Sequence, residues 1–331
     1  MRILAAVDKF RGTATAHEVA AAIGDACWDL GHEITELPLA DGGEGLLEVF
    51  GGPNRSNRVT GPLGSPVDAG WRIDGRTAII EMALASGLTI AGGAEQNRPL
   101  DATTAGVGEL ILAAVAAGAR RIIVGLGGSA TTDGGLGAVQ AIGSPGRIAG
   151  VDLLVACDVT TVFADAAPVF APQKGASPAE VKLLQRRLES LAQQYLADYG
   201  VDVSSLPGSG AAGGLAGGLV ALGGRIEPGF SLVADEAGLH DALDHCDLVI
   251  TAEGHLDAQS FEGKVVGGVA ELAAARQLPV AVICGIADAD VADRLPTIAI
   301  ADRYGIERAL REPRRCITEA ARELISQRSS Q

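Results

Sequence analysis

The chain has 331 residues, 47% hydrophobic and 20% charged, a balance that supports buried cores, argues against extensive disorder and at this length fits two domains. A formal net charge of −15, from 26 Lys+Arg against 41 Asp+Glu, would repel a phosphate backbone over most of the surface; this argues against nucleic acid as a partner, while a few cations and helix N-termini can still attract a nucleotide locally. Five scattered cysteines without C-x-x-C spacing fit reduced thiols in a cytoplasmic protein, Asp8 ends the N-terminal apolar stretch too early for a signal peptide, and no run reaches about 18 apolar residues, so no membrane span is expected.

In chain order, the first elements are a strand over Arg2–Val7, a loop DKFRGTA, and a helix opened by a Thr15/Glu18 capping box and stopped by Gly31. A second strand, Glu33–Leu37, completes a βαβ-type opening with polar loops DKFRG and ADGGEG after its strands. Between Arg58 and Met82, short apolar runs broken by Pro/Gly turns, with Asp74-Gly75 as a hairpin signal, predict antiparallel strands. The βα rhythm then returns near the C-terminus: strand Leu248–Ala252, helix from about Val265 to Arg276, strand Val280–Cys284, a helix near Ala289, strand Thr297–Ala301, and a final helix Ile317–Gln327. Five such strands predict a doubly wound parallel sheet in a discontinuous domain, residues 1–57 plus 246–331, with residues 58–245 inserted as a second α/β domain.

The segment RIIVGLGGSATTDGGLGAVQAIG, Arg121–Gly143, takes a β-rich run into a Gly/Ser/Thr loop and then a Gly/Ala-rich helix. Free N–H groups and a positive helix end suit such a loop to phosphates, and Ser129, Thr131, Thr132 and Asp133 add donors and a metal-ligating carboxylate. Asp8, Asp41, Glu44, Asp158, Glu253 and Asp257 recur in loops or beside glycine, several just after apolar runs, where parallel sheets bind ligands and where phosphoryl transfer needs carboxylates for Mg²⁺ and for the attacking hydroxyl. In so acidic a chain Lys9, Arg11, Lys174 and Lys264 are the candidate cations for a γ-phosphate and a substrate carboxylate. There is no G-x-x-x-x-G-K-[ST], no G-x-S-x-G and no H-E-x-x-H. The competing reading, a NAD(P)-dependent oxidoreductase of a small hydroxy-acid, rests on G-x-G-x-x-A at Gly125, Gly127 and Ala130 and G-x-G-x-x-G at Gly208, Gly210 and Gly213. A third, a non-catalytic nucleotide-binding protein on the same fold, would bind nucleotide without turnover.

The motifs DKFRGTATAHEVAAAI, PLADGGEG, EMALASGL, TTAGVGELI, GGSATTDGG, VACDV, PQKGA, GSGAAGGL and TAEGHLDAQSFEGKVVGGVA run in order from residue 8 to 270. Together they resemble the bacterial glycerate kinase type 1 family. The resemblance implies transfer of phosphate from ATP, with Mg²⁺, to D-glycerate, usually at the 2-hydroxyl, in organic-acid catabolism, by a flavodoxin-like domain with a second α/β domain inserted. It implies no membrane partner and allows a homodimer. On this reading Asp158, Lys174 and Lys264 are catalytic; Gly127, Gly128, Ser129, Thr131, Thr132, Asp133, Gly134 and Gly135 bind nucleotide; and Asp8, Lys9, Arg11, Asp41, Glu44, Ser86, Glu253 and His255 bind substrate. Asp158 and Asp257 hold the metal. Four features depart from the family pattern: a short connection from Gly143 to Asp152, the stretch TTVFADAAPVFAPQKGA after Asp158, His255 in place of an arginine, and Lys9-Phe10-Arg11 in place of Ser-Phe-Lys.

Overall fold

The computed structural model describes residues 1–329. They fall into two compact units, Met1–Asp41 with the described residues from Phe230 onward, and Gly42–Gly229. The sequence places the breaks later, at 57/58 and 245/246. The difference arises because Leu47, just after ADGGEG, donates its N–H to Glu81 at 2.7 Å and so ties this stretch to the strands of the second unit.

In the first unit the sheet comprises β1 (Arg2–Val7), β2 (Glu33–Pro38), β9 (Leu248–Leu256), β10 (Val280–Ala287) and β11 (Thr297–Ala299). They lie in the order β11-β10-β9-β1-β2, every pair parallel. Counted along the chain this is 2-1-3-4-5, the flavodoxin-like doubly wound order, and the winding reverses between β1 and β9. Strands covered on both faces need unbroken apolar runs, and Ile3–Val7 and Leu248–Ala252 are buried throughout. The helix Ala16–Asp29 packs its Val19, Ile23 and Cys27 into that core. Thr15 and Glu18 form the expected capping box, and Gly31 follows in the left-handed region at φ +72°.

One expected element is absent. Residues 288–296 form turns rather than a helix near Ala289. Val291 and Ala292 both donate to the Asp288 carbonyl, but Arg294 donates back only three residues, to Val291, so the single i→i−4 bond is not continued into a helix. Three aspartates in ADADVADRL favour such local turns over helix, and buried Val291 pins the segment against Leu256 and Val266.

The second unit has a six-stranded sheet in the order β3-β4-β5-β6-β7-β8, from β3 (Arg55–Thr60), β4 (Pro66–Asp74), β5 (Thr77–Glu81), β6 (Arg121–Gly125), β7 (Asp152–Ala156) and β8 (Arg225–Glu227). The first three are antiparallel neighbours, with Asp74 paired to Thr77 across the expected hairpin; β5 to β8 are parallel. A 22-residue helix, Pro178–Tyr199, covers this sheet's core with Leu184, Leu188 and Tyr195. Its Ser177/Glu180 capping box is as plain in the sequence as that of Thr15.

Candidate functional site

The first unit gathers eight of the sequence candidates around one cavity of about 540 Å³: Asp8, Lys9, Arg11, Asp41, Glu253, His255, Asp257 and Lys264. Their convergence follows from topology. Asp8 comes directly after β1 and its N–H is held by the Ala252 carbonyl at 2.9 Å, while Glu253 is the next residue along β9. Both therefore emerge at the carboxyl edge where the winding reverses, the place doubly wound sheets leave open for ligands. Gly254 has no Cβ to press on the Phe10–Arg11 backbone, so the DKFRG loop can lie against the end of β9.

Charge in this cavity is mixed and partly withheld from water. Asp8 accepts the Lys9 backbone N–H at 2.7 Å, with the Lys9 ammonium at 3.8 Å. Burial pushes the Asp8 carboxyl up to about 6, the Lys9 charge opposing and the Asp41 charge adding. Glu253 is 9% exposed, and its Oε1 is enclosed without a hydrogen-bond partner. Burial raises it to about 7, against a Ser260 hydrogen bond and the Lys264 charge, with help from the Asp8 and Asp257 charges. Burial also works against ionisation of Asp257, yet Ser260 hydrogen bonds and the Lys264 charge hold it below its ordinary value. His255 is exposed and its Nε2 meets Asp288 Oδ1 at 2.8 Å. Lys264 precedes the helix Val265–Ala274, whose first turn has no side-chain cap. That leaves its amide donors and its positive end beside the ammonium.

In the second unit the Gly-rich loop is more self-contained than its sequence suggests. Asp133 is partly buried and accepts from the Thr104 N–H and Oγ1 at 2.9 and 2.8 Å and from the Gly135 and Gly137 N–H groups at 3.1 Å. It therefore caps the short helix Leu136–Ile142 itself. Burial raises its carboxyl, these four hydrogen bonds opposing. Lys174 is 3% exposed, and its ammonium donates to Ser129 Oγ and the Thr131 carbonyl, both at 2.7 Å. Burial lowers it to about 7, with the Asp133 charge opposing. Gly127 and Gly128 lie so close to Gly43 and Glu44 that a Cβ on either would collide. Ser86 takes the Ala130 N–H on its carbonyl, and its Oγ, like that of Thr132, is buried without a partner. Gly134 receives the Tyr195 hydroxyl at 3.0 Å. Asp158 is exposed, with Oδ1 accepting the Gly229 N–H at 2.8 Å.

Sequence reasoning passed over three supporting residues. Thr104 completes the Asp133 cap, buried Asn97 donates to the Ala130 and Lys174 carbonyls at 3.0 and 2.8 Å, and Asp288 holds His255. Only the TT of TTAGVGELI, two consecutive hydroxyls before a helix, carries a local signal. Gly208, Gly210 and Gly213 follow a loop, not a strand, so the dinucleotide fingerprint lacks its βα turn. Gly213 instead packs against Thr131 in a left-handed kink of the helix Ala211–Ala221.

A sequence profile described as the glycerate kinase family matches residues 3–145 and 144–330. The glycerate 2-kinase of Escherichia coli (strain K12) is 40% identical, the alignment covering 88% of this chain and 87% of that protein. The glycerate kinase of Bacillus subtilis (strain 168) is 38% identical over 86% of this chain and 85% of its own. A solved structure from Salmonella typhimurium LT2, provisionally assigned as glycerate kinase 2, superposes with a TM-score of 0.86 at 35% identity, covering 100% of this chain and 98% of that one.

Proposed function

The chain belongs to the glycerate kinase family, and from that premise we propose that it transfers the γ-phosphate of ATP to the 2-hydroxyl of D-glycerate. The observation that carries this reading is the convergence of Asp8, Lys9, Arg11, Asp41, Glu253, His255, Asp257 and Lys264 on one cavity at the switch point of the parallel sheet. A loose phosphoryl-transfer transition state spreads negative charge over the γ-phosphoryl oxygens, so catalysis requires positioned cations and donors more than covalent chemistry. Lys264 and the uncapped first turn of Val265–Ala274 supply both. Lys9 and Arg11 bind the glycerate carboxylate, and Asp41 and the Asp288-held His255 take its hydroxyls.

Among the described residues no three His, Cys, Asp or Glu side chains converge on one point. That fits Mg²⁺, which commonly takes one or two protein carboxylates beside phosphate oxygens and waters. Asp257, ionised and with only Oδ1 in its Ser260 cap, would hold the ion, which when bound neutralises phosphate charge. In the second unit, Lys174 and Asp133 fix the Gly128–Gly135 loop through hydrogen bonds to Ser129, Thr131, Gly135 and Gly137. All five cysteines are free thiols, which supports a reducing, cytoplasmic setting; no helix among the described residues is long and apolar enough to cross a membrane.

The test is a coupled ADP-release assay over a panel of small hydroxy-acids. Release with D-glycerate well above the other acids is expected. Binding of ATP without ADP release for any acid would instead favour a non-catalytic nucleotide-binding protein.

A further inference from the structure

We infer that Glu253 is the general base that takes the proton from the attacking glycerate hydroxyl, whereas the sequence reading sets Asp158 among the catalytic residues. The inference rests on the reading of the first unit's cavity as the glycerate site. It starts from an unmet hydrogen-bonding need. Buried polar oxygens are nearly always paired, and an orphan in a native site calls for an explanation. Glu253 Oε1 is enclosed without a partner, on a side chain only 9% exposed, in the wall of the cavity that also presents Lys264, Asp8 and Asp257. A substrate hydroxyl entering that cavity would give the oxygen its missing donor, which places the group within reach of the proton it must accept.

The backbone makes this position rigid. Ala252 is paired to Val7, and Glu253 to Cys284 on β10, so the carboxylate is mounted on the central strand of the sheet, not on a loop. Asp158, by contrast, is an exposed residue in the second unit with one oxygen already on the Gly229 N–H.

The surroundings suit a base that must release its proton again. The groups facing Glu253 are Asp8 after β1, Asp257, Ser260 and Lys264 after β9, and the Cys284 thiol on β10. Their combined effect, dominated by burial, leaves the carboxyl near 7, close to the operating pH where general bases work best. In the reaction the hydroxyl proton passes to Glu253 as the glycerate oxygen forms its bond to Pγ. The bond from Pγ to the β,γ-bridging oxygen breaks, its electron pair leaves with ADP, and Glu253 later returns the proton to water.

The experiment compares wild type with Glu253→Gln and Asp158→Asn in full-length enzyme, with ATP, Mg²⁺ and D-glycerate. Wild-type kcat should rise with pH through about 7. Glu253→Gln should lower kcat at least about 10²-fold, keep the glycerate KM within a few-fold, and lose that pH limb. An active wild type beside a Glu253→Gln enzyme with unchanged kcat and pH profile overturns the inference and leaves the kinase reading intact. So does an Asp158→Asn enzyme that alone loses kcat. If Glu253→Gln does not fold, the wild type decides, because a flat kcat profile from about pH 5.5 to 8.5 leaves no base of this kind. A wild type that releases no ADP removes both the function and the inference.

Discussion

Removing the buried Glu253 charge should stabilise the unliganded protein above neutral pH even as it abolishes turnover. The carboxyl stands at 4.5 when exposed and at about 7 when folded, burial being the largest cause. Because the folded value is the raised one, the native state holds a proton that the unfolded chain has lost between these two values. The resulting stability is complete below about 4.5 and is lost as pH rises through about 7. At about 1.4 kcal/mol for each pH unit, the loss amounts to about 3 kcal/mol. Glutamine mimics the protonated acid in shape and charge. Glu253→Gln should therefore match the wild type near pH 4 and exceed it near pH 8 by up to about 3 kcal/mol, the trade-off expected where an active-site charge is held for function. Urea unfolding followed by circular dichroism at both pH values measures the difference. The other titrating groups, Asp8 among them, are present in both proteins and largely cancel. A stability difference that is the same at both pH values would refute the reasoning, since it would show that Glu253 ionises in the fold as easily as in water.

Three further outcomes are expected. Lys264→Met, which keeps much of the stem and removes the charge, should lower kcat by about 10²-fold while the ATP Kd stays within a few-fold, the pattern of an interaction strongest in the transition state; steady-state kinetics with calorimetry checks it. Asp133→Ala leaves the Thr104, Gly135 and Gly137 donors without their acceptor and should cost about 2–4 kcal/mol, read as a lowered urea midpoint. Calorimetry should find Mg·ATP binding and no comparable NAD(H) binding, since the full G-x-G-x-x-G spacing at Gly208–Gly213 follows a loop and not a strand.

What the sequence made legible is what neighbouring residues decide. The Thr15/Glu18 box, the apolar run Arg2–Val7 and the Asp74-Gly75 hairpin each carry their structure within a few residues, and each lies where the pattern puts it. Strand β9 runs on to Leu256, past the expected end at Ala252, because Ile286 and Ala287 of β10 pair with His255 and Leu256. Glu, Gly and His are poor strand formers alone, so only a partner 31 positions away, at Ile286 for His255, overrides them. The same distance hides the character of the Gly-rich loop. GGSATTDGG reads as an open phosphate cradle, but its aspartate is held by Thr104 and its Ser129 and Thr131 by Lys174, which lies 43 to 45 positions downstream of them. The cavity of the first unit was half visible, in charged residues that follow apolar runs. That Asp8 and Glu253 face one space depends on the order in which β1 and β9 are laid side by side, and no local pattern records it.

Phosphoryl transfer from ATP to the 2-hydroxyl of D-glycerate can be followed in one mixture of enzyme, Mg·ATP and D-glycerate by ³¹P NMR. The γ-phosphate resonance of ATP should give way to ADP and to a single phosphomonoester signal split into a doublet by the lone proton on C2. A triplet, from the two protons on C3, would contradict the regiochemistry, and an unchanged ATP spectrum or inorganic phosphate alone would contradict the kinase itself.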